Sequence, residues 1–332
     1  MKTVIIAEAG VNHNGSIDLA KQLVDAAKDA GADYVKFQTF KAKNLSTQNA
    51  EKANYQKNIN TNETHFEMLK KLELNHKSHI EIISYCEKVK IKFLSTGFDI
   101  DSVNMLIDLN IPLIKIPSGE ITNLPYLRHI GKLKKPIVMS TGMSTMDEVD
   151  EALKILKKAG TNLDKVTVLQ CNTEYPTPPE HVNLNSMLAI KDRLGVKVGY
   201  SDHTIGIDIP IAAVAMGATI VEKHFTINRS LPGPDHQASL EPVELKNMIA
   251  SIRRIESAMG TRNKVPTPSE LKNIKIARKS IVAKKKISKG EIFTENNLCT
   301  KRPGIGISPM EWDNVILKKA KKNFDKDELI EL

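Results

Sequence analysis

The feature that most constrains the fold is a regular alternation of short apolar runs with amphipathic segments through the first 260 residues. Segments such as SIDLAKQLVDAAKDAGA and TMDEVDEALKILKKAG place apolar residues at helical spacing, and several end at Gly or Asn. The candidate strands between them are Thr3–Ala9, Tyr34–Thr39, Lys92–Gly97, Leu113–Ser118, Ile137–Thr141, Val166–Cys171, Lys197–Ser201 and Thr219–Phe225. Strands that alternate with helices in this way predict a parallel sheet covered by helices.

Eight strand–helix units in this length favour a closed barrel over an open doubly wound sheet. The phosphate-binding GxGxxG pattern of the doubly wound fold is absent after the first strand, which runs instead into EAGVNHNGS. We therefore expect an α/β protein whose residues 1–262 form a (β/α)8 TIM barrel. The active sites of such barrels lie at the carboxyl ends of the strands.

The remaining residues, 263–332, show a different sequence pattern. Residues 263–280 contain two prolines and little periodicity, which predicts a linker. Residues 281–332 contain short β-like pieces separated by turn signals at Lys289–Gly290 and Pro303–Gly304, which predicts a small β-rich domain.

Charge is concentrated in this second part. Residues 263–332 hold 16 Lys or Arg against nine Asp or Glu, so they carry +7 of the net charge of +9. These lysines are not interleaved with aromatic residues that would stack on bases, so we expect a solvated lysine face and no nucleic-acid partner. Attraction of an anionic small substrate is the main alternative role for this charge. A non-catalytic protein that binds carbohydrate or nucleic acid through the basic tail is an alternative.

Cysteine usage and hydropathy bear on the compartment. The three cysteines form no CxxC or clustered pattern, which argues against a disulfide framework and a zinc–thiolate site. The sequence shows no signal-peptide core and no apolar run long enough to span a membrane. We expect a cytoplasmic protein with no membrane partner.

Two histidines at strand ends predict a metal site. His203 in GYSDHT and His224 in VEKHF lie 21 residues apart, each at the end of an apolar run and each beside a charged residue, Asp202 and Lys223. Because one strand–helix step separates them, both imidazoles should emerge side by side at the barrel rim. Imidazole binds divalent first-row metals, and an incomplete protein shell leaves positions for water and substrate.

Lysines and hydroxyls at the same rim allow two chemistries. Lys36 and Lys115 end the second and fourth strands, where a lysine can form a Schiff base with a carbonyl substrate or neutralise a phosphate or carboxylate. Small hydroxyl residues end four strands: Thr96, Ser118, Ser140 and Ser201. Together they suit a phosphorylated, multiply charged ligand.

Three acids complete the rim. Glu8, Glu120 and Asp235 lie at or near strand ends and could act as bases or accept hydrogen bonds from sugar hydroxyls. Glu120 could instead stabilise a helix N-terminus.

At these residues the sequence resembles the sialic acid synthase family, the phosphoenolpyruvate-dependent nonulosonate synthases. The matching stretches run in order along nearly the whole chain: AEAGVNHNGS, VKFQTFKA, FLSTGFD, KIPSGE, MSTGM, LQCNTEYPTP, GYSDHT, EKHFT, PGPDH and KRPGIGISPMEW. The resemblance identifies the tail as the antifreeze-like (SAF) domain of these enzymes, which serve cell-surface carbohydrate biosynthesis.

The resemblance implies a reaction and a division of roles. Phosphoenolpyruvate would condense with the open-chain aldehyde of an N-acylated mannosamine-type sugar, with release of phosphate by C–O cleavage. His203 and His224 would hold a divalent metal, manganese in the first instance, with magnesium or cobalt as alternatives. The residues that would hold phosphoenolpyruvate are Lys36, Thr96, Lys115, Ser118, Ser140 and Ser201. The residues that would face the sugar or the water are Glu8, Gln38, Tyr175, Glu120 and Asp235, with Glu120 as the preferred base.

The resemblance also implies a partner and leaves the acceptor open. Arg302 in KRPG would reach the active site of the other subunit of a domain-swapped homodimer. Asn172 in CNTEYP, and Tyr55 in the variable 40–62 loop, are further candidates for sugar contacts. The acceptor is N-acetylmannosamine, giving N-acetylneuraminate, or 2,4-diacetamido-2,4,6-trideoxymannose, giving N,N'-diacetyllegionaminate. A Schiff-base aldolase that uses Lys36 or Lys115 is the competing enzyme.

Overall fold

The computed structural model describes residues 2–52 and 64–332 of the chain. The chain divides into two compact units, residues 1–260 and 261–332. Tyr55, a predicted sugar contact, lies outside the described residues.

The first unit is a closed barrel of eight parallel strands, and its order follows the sequence. Its strands are β1 (Val4–Gly10), β2 (Tyr34–Thr39), β3 (Lys92–Gly97), β4 (Ile114–Ile116), β5 (Ile137–Ser140), β6 (Val166–Cys171), β7 (Lys197–Asp202) and β8 (Ile220–His224). Its described helices are α1 (Ile17–Ala30), α2 (Ala42–Leu45), α3 (His65–Leu72), α4 (His76–Val89), α5 (Ile100–Asp108), α6 (Leu124–Leu133), α7 (Met146–Ala159), α8 (Asn185–Leu194), α9 (Asp208–Ala215) and α10 (Pro242–Ala258). The predicted TIM barrel is confirmed.

Local signals explain where the helices begin and end. Ser16 caps α1 by accepting a hydrogen bond from the Leu19 amide, and Gly31 ends the helix in the left-handed conformation at φ 85°. Thr145 and Glu148 form a reciprocal capping box at the start of α7. The strands are buried on both faces, which is why they appear in the sequence as continuous apolar runs.

The barrel interior changes character along its axis, and this change positions the site. An apolar layer fills the interior: Ile6, Leu94, Val138, Leu169 and Ile220. Beyond this layer, toward the carboxyl ends of the strands, the inward positions become polar. Strand register aligns them, since the Cα of Glu8 pairs with those of Lys36 and His224 and the Cα of Ser201 pairs with that of Glu222.

The connection between β2 and β3 contains two consecutive helices, α3 and α4. Glu73 ends α3 with an extended backbone, and Asn75 starts α4 by accepting a hydrogen bond from the Ser78 amide.

The second unit is small and mostly irregular. It contains α11 (Pro268–Ala277), an antiparallel pair of strands, β9 (Ser280–Ala283) and β10 (Leu298–Lys301), and the short α12 (Trp312–Val315). Its core is a separate apolar cluster that includes Phe293 and Phe324.

The segment predicted as a linker, residues 263–280, is helical over α11. Thr267 and Glu270 form a capping box there, and Pro268 occupies the first helical turn. Among the helices that the structure describes, none has both the length and the apolar character needed to cross a membrane.

Candidate active site

A cavity of about 450 Å³ opens at the carboxyl end of the barrel. Most of the residues predicted from strand ends line it: Glu8, Lys36, Gln38, Thr96, Lys115, Ser118, Ser140, Tyr175, Ser201, His203 and His224. They come from all eight strands or the turns that follow them, so the barrel brings together groups that are distant in sequence.

The floor of this cavity is an ion-pair network of two lysines and two glutamates. Lys36 Nζ lies 2.7 Å from Glu8 Oε2 and donates a hydrogen bond of 2.9 Å to Thr96 Oγ1. Lys115 Nζ lies 3.1 Å from Glu222 Oε1, and Lys36 Nζ lies 3.6 Å from Glu222 Oε2. Glu222 thus bridges both ammonium groups, and all four side chains are at most 6% exposed.

Burial and pairing set the charges of this network. Burial opposes the ionised form of Glu222, but Lys115 and Lys36 outweigh it and lower its pKa to about 2. Burial raises the pKa of Glu8 to about 7, Lys36 opposes the rise and the nearby Glu222 charge adds to it. Burial acts to lower the pKa of Lys36, but Glu222 and Glu8 outweigh it and raise that pKa above its ordinary value. The floor therefore becomes net positive when Glu8 is protonated, which suits an anionic ligand.

The two histidines stand side by side at the edge of this floor. The ring centroids of His203 and His224 are 5.4 Å apart, and the ring of Tyr175 lies 4.1 Å from that of His203. His203 Nδ1 lies 2.5 Å from the carbonyl oxygen of Asn172, which orients the ring. The prediction that the two imidazoles emerge together is confirmed by this placement.

The histidine pair fits a divalent metal in one respect that the structure shows directly. His224 Nδ1 is buried without a hydrogen-bond partner, and burial together with the neighbouring His203 holds its pKa well below the ordinary value. A neutral imidazole with a free ring nitrogen is the form that binds a metal. Asp235 Oδ2 lies 3.8 Å from the same nitrogen.

The protein would supply an incomplete metal shell. Within residues 2–52 and 64–332, no group of three or more His, Cys, Asp or Glu side chains is arranged to hold a metal ion. A metal on the two imidazoles would thus keep positions for water and substrate, as catalytic sites require.

Three predicted residues of the barrel are not in the wall of this cavity. Asn172 donates its side-chain amide to the carbonyl of His181, and its side-chain oxygen is buried without a hydrogen-bond partner. Glu120 follows the wall residue Gly119, and its carboxylate accepts a hydrogen bond from Asn123. Asp235 lines an adjoining cavity, where burial raises its pKa to about 6.

Arg302 belongs to the second unit. Its side chain is exposed, and its Nε donates a 3.0 Å hydrogen bond to the carbonyl of Ala277.

Sequence reasoning missed Glu222, the residue that holds the two lysines. Its signal was available, because Glu222 lies two residues before His224 and alternation along a strand puts both on the same face. Asp202 and Lys223, which the sequence showed only as charged neighbours of the histidines, form a buried ion pair of 2.5 Å between β7 and β8. Lys223 also donates to the carbonyl of Thr204 at 2.6 Å, so the pair ties together the two strand ends that carry the histidines.

Comparison with known proteins places both units. The model of the NeuB family matches residues 23–264, and that of the SAF domain matches residues 278–331. The chain is 54% identical to the N,N'-diacetyllegionaminic acid synthase of Campylobacter jejuni, with 99% of each chain covered. It is 46% identical to the synthase of the same name from Legionella pneumophila, with 98% of this chain and 92% of the relative covered.

The chain is also similar to a solved structure. The N-acetylneuraminic acid synthetase of Leptospira borgpetersenii, in complex with citrate, superposes with a TM-score of 0.72 at 32% identity. The match covers 82% of this chain and 90% of that one.

Proposed function

Because the chain belongs to the NeuB family, we propose that it is a nonulosonate synthase, which joins phosphoenolpyruvate to the open-chain aldehyde of an N-acylated mannosamine-type sugar and releases phosphate. The observation that carries this function is the buried floor of two lysines beside His203 and His224 in one cavity, with His224 held in the neutral form. The lysines provide a place for an anion, and the histidines provide a place for an aldehyde.

Phosphoenolpyruvate is assigned to the lysine side of the cavity. Lys36 and Lys115 supply charge for its phosphate and carboxylate, and hydroxyls surround them: Thr96, Ser118, Ser140 and Ser201. Ser140 Oγ is buried without a hydrogen-bond partner, so it has a donor to offer. Holding the enol rigidly beside the aldehyde accelerates the reaction by orientation.

The aldehyde is assigned to the histidine side. Enzymes of this family depend on a metal ion, and we propose manganese on His203 and His224, where it would polarise the aldehyde oxygen. C3 of the enol then forms the new bond to the aldehyde carbon, water adds at C2, and the C2–O bond to phosphate breaks.

Acidic residues around the cavity are proposed to transfer protons and to bind the sugar. Glu120 is proposed as the base for the added water, and burial raises its pKa. Glu8 is in the wall itself, and its pKa of about 7 lets it hold or release a proton near neutral pH. Gln38 donates to Glu8 at 3.2 Å, so its amide is placed to contact a sugar hydroxyl together with that carboxyl. Asp235 and Tyr175 face the acceptor from the histidine side, and we retain Asn172 and Tyr55 as proposed sugar contacts.

Two features are proposed for the assembled enzyme in the cytoplasm. The chain forms a homodimer in which Arg302 of one copy serves the site of the other, and the exposed guanidinium of Arg302 supports this. Residues 1–262 form the catalytic domain, 263–280 the connection and 281–332 the SAF domain. Mixed dimers of Arg302→Ala with a His224→Ala partner test the arrangement, because they restore one complete site, and recovery of activity is expected.

The Schiff-base alternative is disfavoured by the charges. A nucleophilic lysine needs an unprotonated amine, whereas Glu222 and Glu8 raise the pKa of Lys36. Borohydride with pyruvate should therefore leave the protein unmodified.

The acceptor is proposed to be 2,4-diacetamido-2,4,6-trideoxymannose, with N,N'-diacetyllegionaminate as product. The names of the Campylobacter and Legionella relatives support this choice over N-acetylmannosamine.

Phosphate release from phosphoenolpyruvate with a panel of amino sugars, followed by mass analysis of the product, tests the function. Release is expected with metal-loaded protein, and chelator or His224→Ala should abolish it. Absence of phosphate release with every sugar would refute the proposal.

A further inference from the structure

A second cavity of about 330 Å³ adjoins the site. The two cavities share a wall made of Gln38, His65, Phe98, Gly119, Tyr175 and His224. A ligand held at His224 can therefore extend into this second space. We call its remaining lining the annex: Val11, Phe40, Leu45, Met68, Leu69, Leu72, Pro234 and Asp235.

The annex is built by the segments that follow β1, β2 and β8. Helix α3 contributes Met68, Leu69 and Leu72, which lie on one face because residues three and four apart are neighbours on a helix. A capping box between Thr64 and Glu67 starts this helix. Its apolar face lines the cavity.

Aromatic and aliphatic packing gives the annex a preformed wall. Phe40 meets Phe98 edge to face, with ring centroids 6.2 Å apart. Phe40, Met68, Leu69 and Leu72 belong to one apolar cluster and are each at most 8% exposed. The space is consequently part of the packed structure.

The lining of the annex is almost entirely apolar. Seven of its eight residues have an aliphatic, aromatic or thioether side chain, and no Lys or Arg lines it in the part of the chain that the structure describes. Asp235 lies at its edge, within 3.8 Å of His224. A hydroxyl or phosphate pushed against the far wall would lose its water without gaining a partner.

We propose that the annex binds the deoxy end of the acceptor sugar and so selects 6-deoxy acceptors over 6-hydroxy and 6-phosphorylated ones. This inference rests on the proposed function, which places the aldehyde carbon at the histidine pair. C6 is the carbon farthest from the aldehyde along the open chain, and the annex is the apolar space reached from that anchor. The methyl group at C6 then replaces water against Met68, Leu69 and Leu72.

The size of the effect follows from what one oxygen does in an apolar pocket. Hydrophobic pockets discriminate a single methylene or hydroxyl by about 10- to 200-fold in kcat/KM. We expect a preference of about 10- to 100-fold for the 6-deoxy sugar, expressed mainly in KM because the reacting groups are distant.

The test uses two acceptors that differ by one oxygen, 2,4-diacetamido-2,4,6-trideoxymannose and 2,4-diacetamido-2,4-dideoxymannose. The ratio of their kcat/KM values for phosphate release is compared in wild type, Met68→Gln and Leu45→Gln. Met68→Gln keeps the side-chain length and adds an amide, so the ratio should fall to within about threefold of unity. Phe66→Tyr is the matched control, since Phe66 packs against the same cluster but lines neither cavity, and it should keep the wild-type ratio.

Binding without turnover separates specificity from folding. Calorimetric titration of each protein with the unreactive alditol of the 6-deoxy sugar should show weaker binding in Met68→Gln and unchanged binding in Phe66→Tyr. If Met68→Gln does not fold, Leu45→Gln provides the same comparison from the half-buried end of α2.

The outcomes distinguish the two proposals. No phosphate release with any acceptor refutes the synthase function itself. Equal kcat/KM for both sugars in wild type, or a ratio that both glutamine variants leave unchanged, refutes the annex as the specificity site while the function stands.

Discussion

Glu222→Gln tests whether the cavity floor depends on one buried carboxylate. The substitution keeps the side-chain size and an oxygen that can accept from Ser201, whose hydroxyl donates to Glu222 Oε1 at 3.1 Å. It removes the charge that faces Lys115 at 3.1 Å and Lys36 at 3.6 Å. Lys36 keeps Glu8, but Lys115 loses its carboxylate partner.

The magnitude follows from the pKa of Glu222. That pKa falls from an ordinary 4.5 to about 2 in the folded protein. A difference of this size corresponds to about 3 kcal/mol of stability at pH 7, within the range for breaking a buried ion pair. Because the folded pKa is lowered, the contribution is complete above pH 4.5 and is lost as the pH falls toward 2. The deficit of Glu222→Gln should thus shrink to about half by pH 3.

Urea denaturation followed by far-UV circular dichroism measures this deficit, since most of the helices belong to the barrel. The double variant Glu222→Gln/Lys115→Met removes the stranded charge as well and should regain about 2 kcal/mol. A loss below about 1 kcal/mol at pH 7, or a deficit that does not change with pH, would refute the assigned network.

Three further outcomes are expected. His224→Ala should lower kcat/KM by at least about 100-fold and abolish metal retention by the folded protein, as element analysis would show, and retained metal with full turnover would contradict the role of the imidazole. Lys223→Met should destabilise the barrel by about 3 kcal/mol, because it leaves the buried Asp202 carboxylate without its cationic partner. Lys223→Met/Asp202→Leu should recover most of that loss in the same denaturation assay. Equal stability of wild type and the single variant would count against the ion pair. Gly199→Ala should cost about 2 kcal/mol or more, because its Cβ would lie 2.4 Å from the carbonyl oxygen of Ile220, and an unchanged midpoint would be inconsistent with so close an approach.

Much of the fold could be predicted from the sequence, because the residues that define each strand and helix are close together in the chain. Apolar runs bounded by Gly, Asn and capping residues placed the eight strands within a few residues of their observed bounds, and barrel logic assigned polar strand ends to one rim. The capping box of Thr267 and Glu270 is an equally local signal, and it marks the start of α11 within the segment predicted as a linker.

The sequence by itself predicted most of the side chains that line the cavity: two lysines, four hydroxyls, Glu8 and the histidine pair, but not Glu222. Only the tertiary structure decides which of these side chains contact each other. Closure of the barrel brings Glu222 to Lys36 and Lys115, and the loop after β6 places the amide of Asn172 at the carbonyl of His181. Packing of α3 beside the barrel creates the annex. Such partnerships depend on closure of the barrel, which brings together residues far apart in sequence, whereas the spacing of residues within a strand or helix encodes only which face each side chain takes.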